Sequence, residues 1–217
     1  MRYNENKFFI DGVSAEKLAK KYRTPLYCYS LNRIKDNVFN FKKNFHKINP
    51  LICFSVKANP NKIILNEISK LGLGADVVSV GELMKALNSG IKPNKIVFSG
   101  VGKTSEEIEY AIKKKILLIN AESKSEIIEI EKIAKKRKKK VNVGLRLNPN
   151  TDAKTLNQIS TGKKENKFGV SEKIFLELAK YIKSSKNLNL TCLSVHIGSQ
   201  ILDYKPYDKM LRVLEKI

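Results

Sequence analysis

The sequence predicts an α/β fold, a (β/α)₈ TIM-type barrel that is incomplete, with about six of the eight β/α units present. From about residue 50 onward, short apolar runs alternate with amphipathic stretches of helical periodicity. Runs that are apolar on both faces and joined by helices are typical of a buried parallel sheet. Three runs also carry one bulky row and one row of small or polar residues. This difference favours a barrel, because its strands have an outer face under helices and a separate inner face.

Residues 1–30 are predicted to form an N-terminal segment, and residues 31–217 a partial barrel with strands 1 to 6. In the first segment, residues 8–10 and 26–29 are expected to form short strands, with a helix over 14–22 between them. Barrel strands are expected at 51–56, 75–80, 95–100, 116–120, 141–147 and 190–197.

Start and stop signals mark the helices between these strands. Gly72 is suited to end a helix, and Ser171 is suited to begin one. Capping-box spacing, in which a hydroxyl residue precedes a glutamate by three positions, occurs at Thr104 with Glu107 and at Ser123 with Glu126.

Functional side chains collect at the predicted carboxyl ends of the strands, where barrel enzymes place their reacting groups. Counting back by twos from Lys57, Arg146 and His196 gives only small or polar residues, so these three side chains are expected to point inward. Asp76, in the predicted strand at 75–80, is assigned to the same rim. The further polar residues expected at this rim are Ser79, Ser99, Asn120, Asn148 and Ser199.

Each of the four charged or titratable residues also has an ordinary structural explanation. Lys57 could extend to solvent, Asp76 could cap a helix or pair with Arg146, and His196 could be a hydrogen-bonded core residue. Their convergence on one rim favours a catalytic site. A lysine withdrawn from water near other cations is a usable nucleophile, and such amines form Schiff bases with a substrate carbonyl or with pyridoxal phosphate. A histidine ring opposite favours the cofactor, although the residues alone leave both possibilities open.

Composition limits the class of protein. The 42% hydrophobic and 29% charged residues are typical of a soluble globular protein, and we expect neither a secretory signal nor a membrane span. Three separated cysteines in apolar runs suggest reduced core thiols in the cytoplasm. The net charge of +21 raises the possibility of a nucleic-acid partner, which we consider unlikely because the lysines are spread over the chain without interleaved aromatic residues.

Two short motifs are misleading. "SGVGKT" at 99–104 resembles a P-loop, but its first glycine would have to stand at Val97, inside a strand. "GLGADV" at 72–77 lacks the third glycine of a dinucleotide fingerprint and runs from helix to strand. With only His46 and His196 and no cysteine pair at ligand spacing, no metal site is predicted.

Six stretches together resemble the diaminopimelate decarboxylase family, whose members are pyridoxal-phosphate enzymes of the alanine-racemase-like barrel class. The stretches are "FSVKANPN", "ADVVSVGEL", "IVFSGVGKT", "LRLNPNTDAKT", "ISTGKKENKFGV" and "LSVHIGSQI", in this order. The last two are the most particular to the family. The likeness runs from Phe8 onward and covers about the first half of a family member.

The resemblance implies a role for each matching position. Lys57 matches the lysine that holds the cofactor, His196 the residue stacked on its ring, and Ser199 a residue close to its phosphate. Asp76 and Arg146 match polar groups that support the ring and the lysine. The implied reaction is decarboxylation of meso-2,6-diaminopimelate to L-lysine, with the cofactor as electron sink.

The same resemblance implies further parts that lie later in family members. These are a glycine-rich phosphate loop, a glutamate at the pyridine nitrogen, a substrate-binding arginine, residues donated across a homodimer and a C-terminal β-domain joined by the N-terminal segment. We therefore expect the 217-residue chain to be an inactive fragment on its own. The alternatives are an ornithine- or arginine-type decarboxylase, a racemase on the same barrel, or a non-catalytic truncated remnant.

Overall fold

The computed structural model describes residues 2–4, 6–45, 47–151 and 168–217. His46 and most of the "ISTGKKENKFGV" stretch lie outside these ranges. The N-terminal segment contains a three-stranded antiparallel sheet of β1 (Arg2–Asn4), β2 (Lys7–Ile10) and β3 (Val13–Ser14), followed by helix α1 (Ala15–Tyr22). Helix α2 (Leu31–Asn44) leads into the barrel.

Six parallel strands follow, paired in the order of the sequence. They are β4 (Cys53–Ser55), β5 (Gly74–Val77), β6 (Ile96–Phe98), β7 (Leu118–Ala121), β8 (Val141–Leu147) and β9 (Leu188–Val195). The helices between and after them are α3 (Lys62–Lys70), α4 (Val80–Asn88), α5 (Ser105–Lys114), α6 (Lys124–Lys136), α7 (Glu172–Ser184) and α8 (Lys205–Leu214). No helix in the described ranges is both long and apolar enough to cross a membrane.

The core lies between the sheet and the helices that cover its outer face. Val77, Phe98, Ile119 and Leu145 from four neighbouring strands are buried in it. Helices α3 to α7 contribute one apolar face each, including Leu65, Leu83, Ile108, Ile127 and Ile182. In β5 to β8 the bulky row therefore faces the helices, as the alternation predicted for β8, whereas in β9 Leu193 is exposed and Val195 lines the cavity described below.

The sheet curls into an incomplete barrel. Six strands spaced about 4.8 Å apart would place the two edge strands about 24 Å apart in a flat sheet. Lys57 follows edge strand β4 and His196 follows edge strand β9, yet both residues line one cavity. A register shift between β8 and β9 at Val143/Gly144 accompanies this curvature. The predicted incomplete α/β barrel is confirmed.

Two local predictions are wrong. Residues 26–29 do not form a strand, because no described strand pairs with them, and Tyr27 is 88% exposed. The box at Ser123 is only half formed: Ser123 accepts the Glu126 N–H, but the Glu126 carboxylate binds the Glu122 N–H and Lys103 instead of returning to Ser123. The Thr104–Glu107 capping box is complete.

We expect Phe98→Ala to lower the free energy of unfolding by about 3–5 kcal/mol, because Phe98 is fully buried and its removal leaves a cavity. Phe39→Ala is the matched control, since Phe39 is 68% exposed, and we expect a change within about 0.5 kcal/mol. Urea unfolding followed by circular dichroism measures both values. Equal losses in the two variants would contradict the position of the core described above.

Candidate functional site

A cavity of about 540 Å³ opens at the carboxyl ends of the strands. Its volume is within the range of small-molecule and cofactor sites. It is lined by charged, polar and aromatic side chains together with the backbone of a glycine-containing loop. Its lining includes Lys57, Asp76, Ser99, Gly100, Asn120, Glu122, Arg146, Phe168 and His196.

Four of the five predicted site residues meet in this cavity, namely Lys57, Asp76, Arg146 and His196. Lys57 lies on a 3₁₀ helix of one turn, Val56–Ala58, that follows β4. Lys57 is exposed, so the expectation of a lysine withdrawn from water is wrong, but its positive charge lowers the pKa of both Asp76 and His196 in the same cavity. Ser199 lies three residues beyond His196, is exposed, and is not among the residues that line the cavity.

Asp76 is held by a hydrogen-bonded chain on the inner face of the sheet. Asn120 Nδ2 donates to Ser99 Oγ at 3.2 Å, and Ser99 Oγ donates to Asp76 Oδ1 at 2.6 Å. Burial raises the pKa of Asp76 above its ordinary value, while the Ser99 hydrogen bond and the charges of Lys57 and Arg146 oppose the rise. Asp76 can therefore hold a proton at a higher pH than an exposed aspartate.

Asn120 leaves one polar atom unpaired at the inner surface of the barrel. Its Oδ1 is buried and has no hydrogen-bond partner among the described residues. It faces Gly144 on the neighbouring strand, where an added Cβ would lie 2.0 Å from Oδ1. Glycine at 144 therefore leaves room for Asn120 beside the cavity, and any larger residue would displace it.

Arg146 forms its ion pair with Glu122. The sequence had also allowed a purely structural ion pair between Arg146 and Asp76, which the structure does not show. Arg146 Nη1 donates to both carboxylate oxygens of Glu122, at 3.1 and 3.0 Å. The Glu122 side chain is 2% exposed and that of Arg146 is 12% exposed, so this ion pair is largely shielded from water. The Phe168 ring also lies 4.8 Å from the guanidinium carbon.

Glu122 is the main site residue that sequence reasoning missed. It lies two residues after Asn120 and so continues the inward row of β7, which is the signal that could have found it. Glu122 lies between the predicted strand at 116–120 and the predicted helix start at Ser123. The structure shows that the inward row extends past the end of the strand.

The described end of the "ISTGKKENKFGV" stretch packs on Arg146. Val170 N–H donates to Arg146 C=O at 2.9 Å, and Asn148 N–H donates to Val170 C=O at 2.8 Å. Gly169 lies between these contacts at φ +73°, and a Cβ there would come within 2.9 Å of the Arg146 carbonyl oxygen. Glycine is therefore needed for the chain to pass over β8 and to bring Phe168 against the guanidinium.

The environment of His196 disfavours its charged form. Removal from water lowers the pKa of the imidazole, and the positive charges of Arg146 and Lys57 lower it further, while Glu122 opposes them. The His196 side chain is exposed and lines the cavity, and a neutral imidazole adds no third positive charge there. This arrangement suits stacking against a planar ring.

The cysteines and potential metal ligands lie apart from this chemistry. Burial raises the pKa of Cys53 to about 11 and also raises the pKa of Cys192, so neither thiol is activated. Cys28 is exposed, so the expectation of a core thiol is wrong for that residue. The described ranges contain no group of three or more residues able to hold a metal ion.

The cavity has the chemistry that pyridoxal phosphate requires. Lys57 supplies an amine for the aldehyde, His196 an aromatic face for the ring, and Asp76 a titratable group beside the amine. The residues present therefore fit this cofactor.

Comparison with known proteins gives a family match over most of the chain. Residues 31–217 match the family described as "Pyridoxal-dependent decarboxylase, pyridoxal binding domain". A diaminopimelate decarboxylase of Helicobacter pylori is 48% identical over 202 residues, which is 93% of this chain and 50% of that protein. A diaminopimelate decarboxylase of Aquifex aeolicus is 42% identical over 207 residues, which is 95% of this chain and 49% of that protein.

Solved structures show the same likeness in three dimensions. The crystal structure of diaminopimelate decarboxylase from M. jannaschii in co-complex with L-lysine superposes with a TM-score of 0.92 at 38% identity. The match covers 99% of this chain and 51% of that one. The chain thus spans about half the length of the curated relatives it matches.

We expect Asp76→Asn to raise the free energy of unfolding of the cofactor-free protein at pH 7 by about 0.5–2 kcal/mol. The folded pKa of Asp76 lies above its ordinary value of 3.8, so its stabilising contribution is full below that value and is lost as the pH rises through the folded pKa. An asparagine at position 76 does not ionise, so the free energy of unfolding does not fall in this way as the pH rises. The difference between the proteins should therefore disappear near pH 3.

Urea unfolding at a series of pH values measures this difference. Asp36→Asn, on the exposed side of α2, controls for the loss of one negative charge. A lower stability of Asp76→Asn at pH 7 would mean that Lys57 and Arg146 more than offset the burial of the carboxylate.

Proposed function

Because the chain belongs to the family of pyridoxal-dependent decarboxylases, we propose that the whole protein decarboxylates meso-2,6-diaminopimelate to L-lysine and CO₂. The observation that carries the proposal is the meeting of Lys57, Asp76, Arg146 and His196 in one cavity at the strand ends. The choice of substrate is supported by relatives named diaminopimelate decarboxylase at up to 48% identity, and by a solved relative described as a complex with L-lysine.

Each residue has a role that its surroundings support. Lys57 would hold the cofactor through its ε-amine, and His196 would provide the aromatic ring that stacks on it. Asp76 holds or releases a proton next to Lys57, since burial raises its pKa. Glu122 fixes the orientation of Arg146, which would support the bound cofactor. Bound pyridoxal phosphate supplies the electron sink that lets a carboxyl group leave as CO₂.

The remaining assignments are also proposals. Ser199 approaches the cofactor phosphate, residues 1–30 form a segment distinct from the barrel at 31–217, and the whole protein acts as a homodimer in the cytoplasm. The exposed aromatic side chains of the N-terminal segment and α2 support a further contact there, because Tyr27 and Phe39 are 88% and 68% exposed. A nucleic-acid partner is supported only by the net charge of +21.

Reduction with borohydride in the presence of pyridoxal phosphate is expected to place a stable phosphopyridoxyl group on Lys57. Only an amine that already binds the aldehyde is trapped efficiently. Peptide mapping by mass spectrometry identifies the labelled residue. Lys57→Ala should lose the label, and Lys62→Ala, five residues further on at the start of α3, should keep it. Recovery of the label on another lysine of the unmodified protein would refute the assignment.

Substrate trials with the whole protein separate the candidate reactions. We expect CO₂ and L-lysine from meso-diaminopimelate, and little or no CO₂ from ornithine, arginine or lysine. Exchange of the α-proton without release of CO₂ would favour a racemase, and cofactor binding without any turnover would favour a non-catalytic remnant. A mobility shift of nucleic acid at physiological salt would support the alternative based on charge.

A further inference from the structure

Lys103 carries a fully buried charge that the proposed reaction does not use. Its side chain is 0% exposed, and its ammonium donates three hydrogen bonds. The acceptors are the Gly100 carbonyl at 2.6 Å, the Asn120 carbonyl at 2.7 Å and Glu126 Oε1 at 2.6 Å. Because a lysine has three donors and all three are in use, Lys103 has none left for a ligand. The P-loop resemblance of "SGVGKT" therefore has no counterpart in phosphate binding by this lysine.

One of the three bonds of Lys103 reaches the cavity wall formed by residues 99–102, and the other two anchor the ammonium to β7 and α6. Gly100 in this wall has φ +99°, a conformation that needs glycine. Its peptide groups are held from two sides: Glu122 Oε1 accepts the Gly100 N–H at 3.1 Å, and Lys103 donates to the Gly100 carbonyl. Without these bonds, a glycine-rich loop would sample many conformations.

The same contacts connect Lys103 to Arg146. Glu126 receives Lys103 on one carboxylate oxygen and the Glu122 N–H on the other, at 2.9 Å. Glu122 then holds both Gly100 and Arg146. Lys103 and Arg146 thus lie at the two ends of a shielded network, with Glu126 and Glu122 between them, joined through the Glu122 backbone N–H. The burial of each cation is compensated by the glutamate it contacts.

We propose that Lys103 is a positioning residue that sets the 99–102 wall and, through Glu126 and Glu122, the orientation of Arg146 before any ligand enters the cavity. The role toward the cofactor rests on the proposed function. Loss of the ammonium leaves the Gly100 carbonyl without its donor and the Glu126 carboxylate without its counter-charge. The wall then relaxes, and the cavity no longer has its binding shape.

Hydrogen–deuterium exchange of the cofactor-free whole protein tests the proposal directly. In Lys103→Met, we expect peptides covering residues 99–104 to exchange about tenfold faster or more than in the unmodified protein. The dissociation constant of pyridoxal phosphate should rise about tenfold or more. Lys95→Met is the matched control, because Lys95 also donates to a loop carbonyl, that of Gly72 at 2.7 Å, but at the opposite end of the sheet. It should alter neither quantity.

A second variant separates positioning from simple charge balance. Lys103→Met combined with Glu126→Gln leaves no unpaired buried charge, so its stability should recover relative to Lys103→Met alone. Its exchange at 99–104 and its weakened cofactor binding should persist, since the Gly100 carbonyl still lacks the lysine. Recovery of all three quantities together would overturn the positioning role, as would unchanged exchange or unchanged cofactor affinity in folded Lys103→Met. The exchange measurement needs no cofactor, so it still decides the inference if the unmodified protein proves not to bind pyridoxal phosphate.

Discussion

The alternation of side chains along parallel strands is the constraint on which this structure depends. Strands β5 to β8 place their bulky residues under the helices, and this packing leaves the other row no position except the inner face. Phe98 and Ile119 are buried on the outside of β6 and β7, while Ser99 and Asn120 are directed to the inside. Because the sheet curls, inner rows from separate strands converge. The apolar core therefore determines where the polar groups meet.

Buried charge is the second organising feature. Arg146, Glu122, Glu126 and Lys103 are shielded from water, and each has at least one charged or carbonyl partner at hydrogen-bonding distance. Such a cluster adds little net stability, since the cost of desolvation offsets the attraction between the charges. Its effect is on geometry, because few arrangements satisfy all of the donors and acceptors at once. Rigid placement of this kind is what a cofactor site requires.

Glutamates three residues into successive helices tie the loops at the cavity edge to the sheet. Glu82 accepts the Val78 N–H, Glu107 accepts the N–H groups of Val80 and Thr104, and Glu126 accepts the Glu122 N–H. Each carboxylate satisfies donors at the start of a helix or in the loop before it. Three of these four bonds, those to Val78, Val80 and Glu122, reach beyond the N-cap residue that an ordinary capping box would contact, so local helix signals also shape the wall around the site.

The sequence by itself determined the barrel, its six strands and four residues of the cavity, because hydrophobic periodicity and alternation are local properties of the chain. It also determined the complete capping box at Thr104. It did not determine the partner of Arg146 or the burial of Lys103, and it wrongly suggested a strand at 26–29. Only the tertiary structure decided these features. A hydrogen-bond partner, a counter-charge or a neighbouring strand is supplied by residues distant in the chain, and no local pattern specifies which of them arrives.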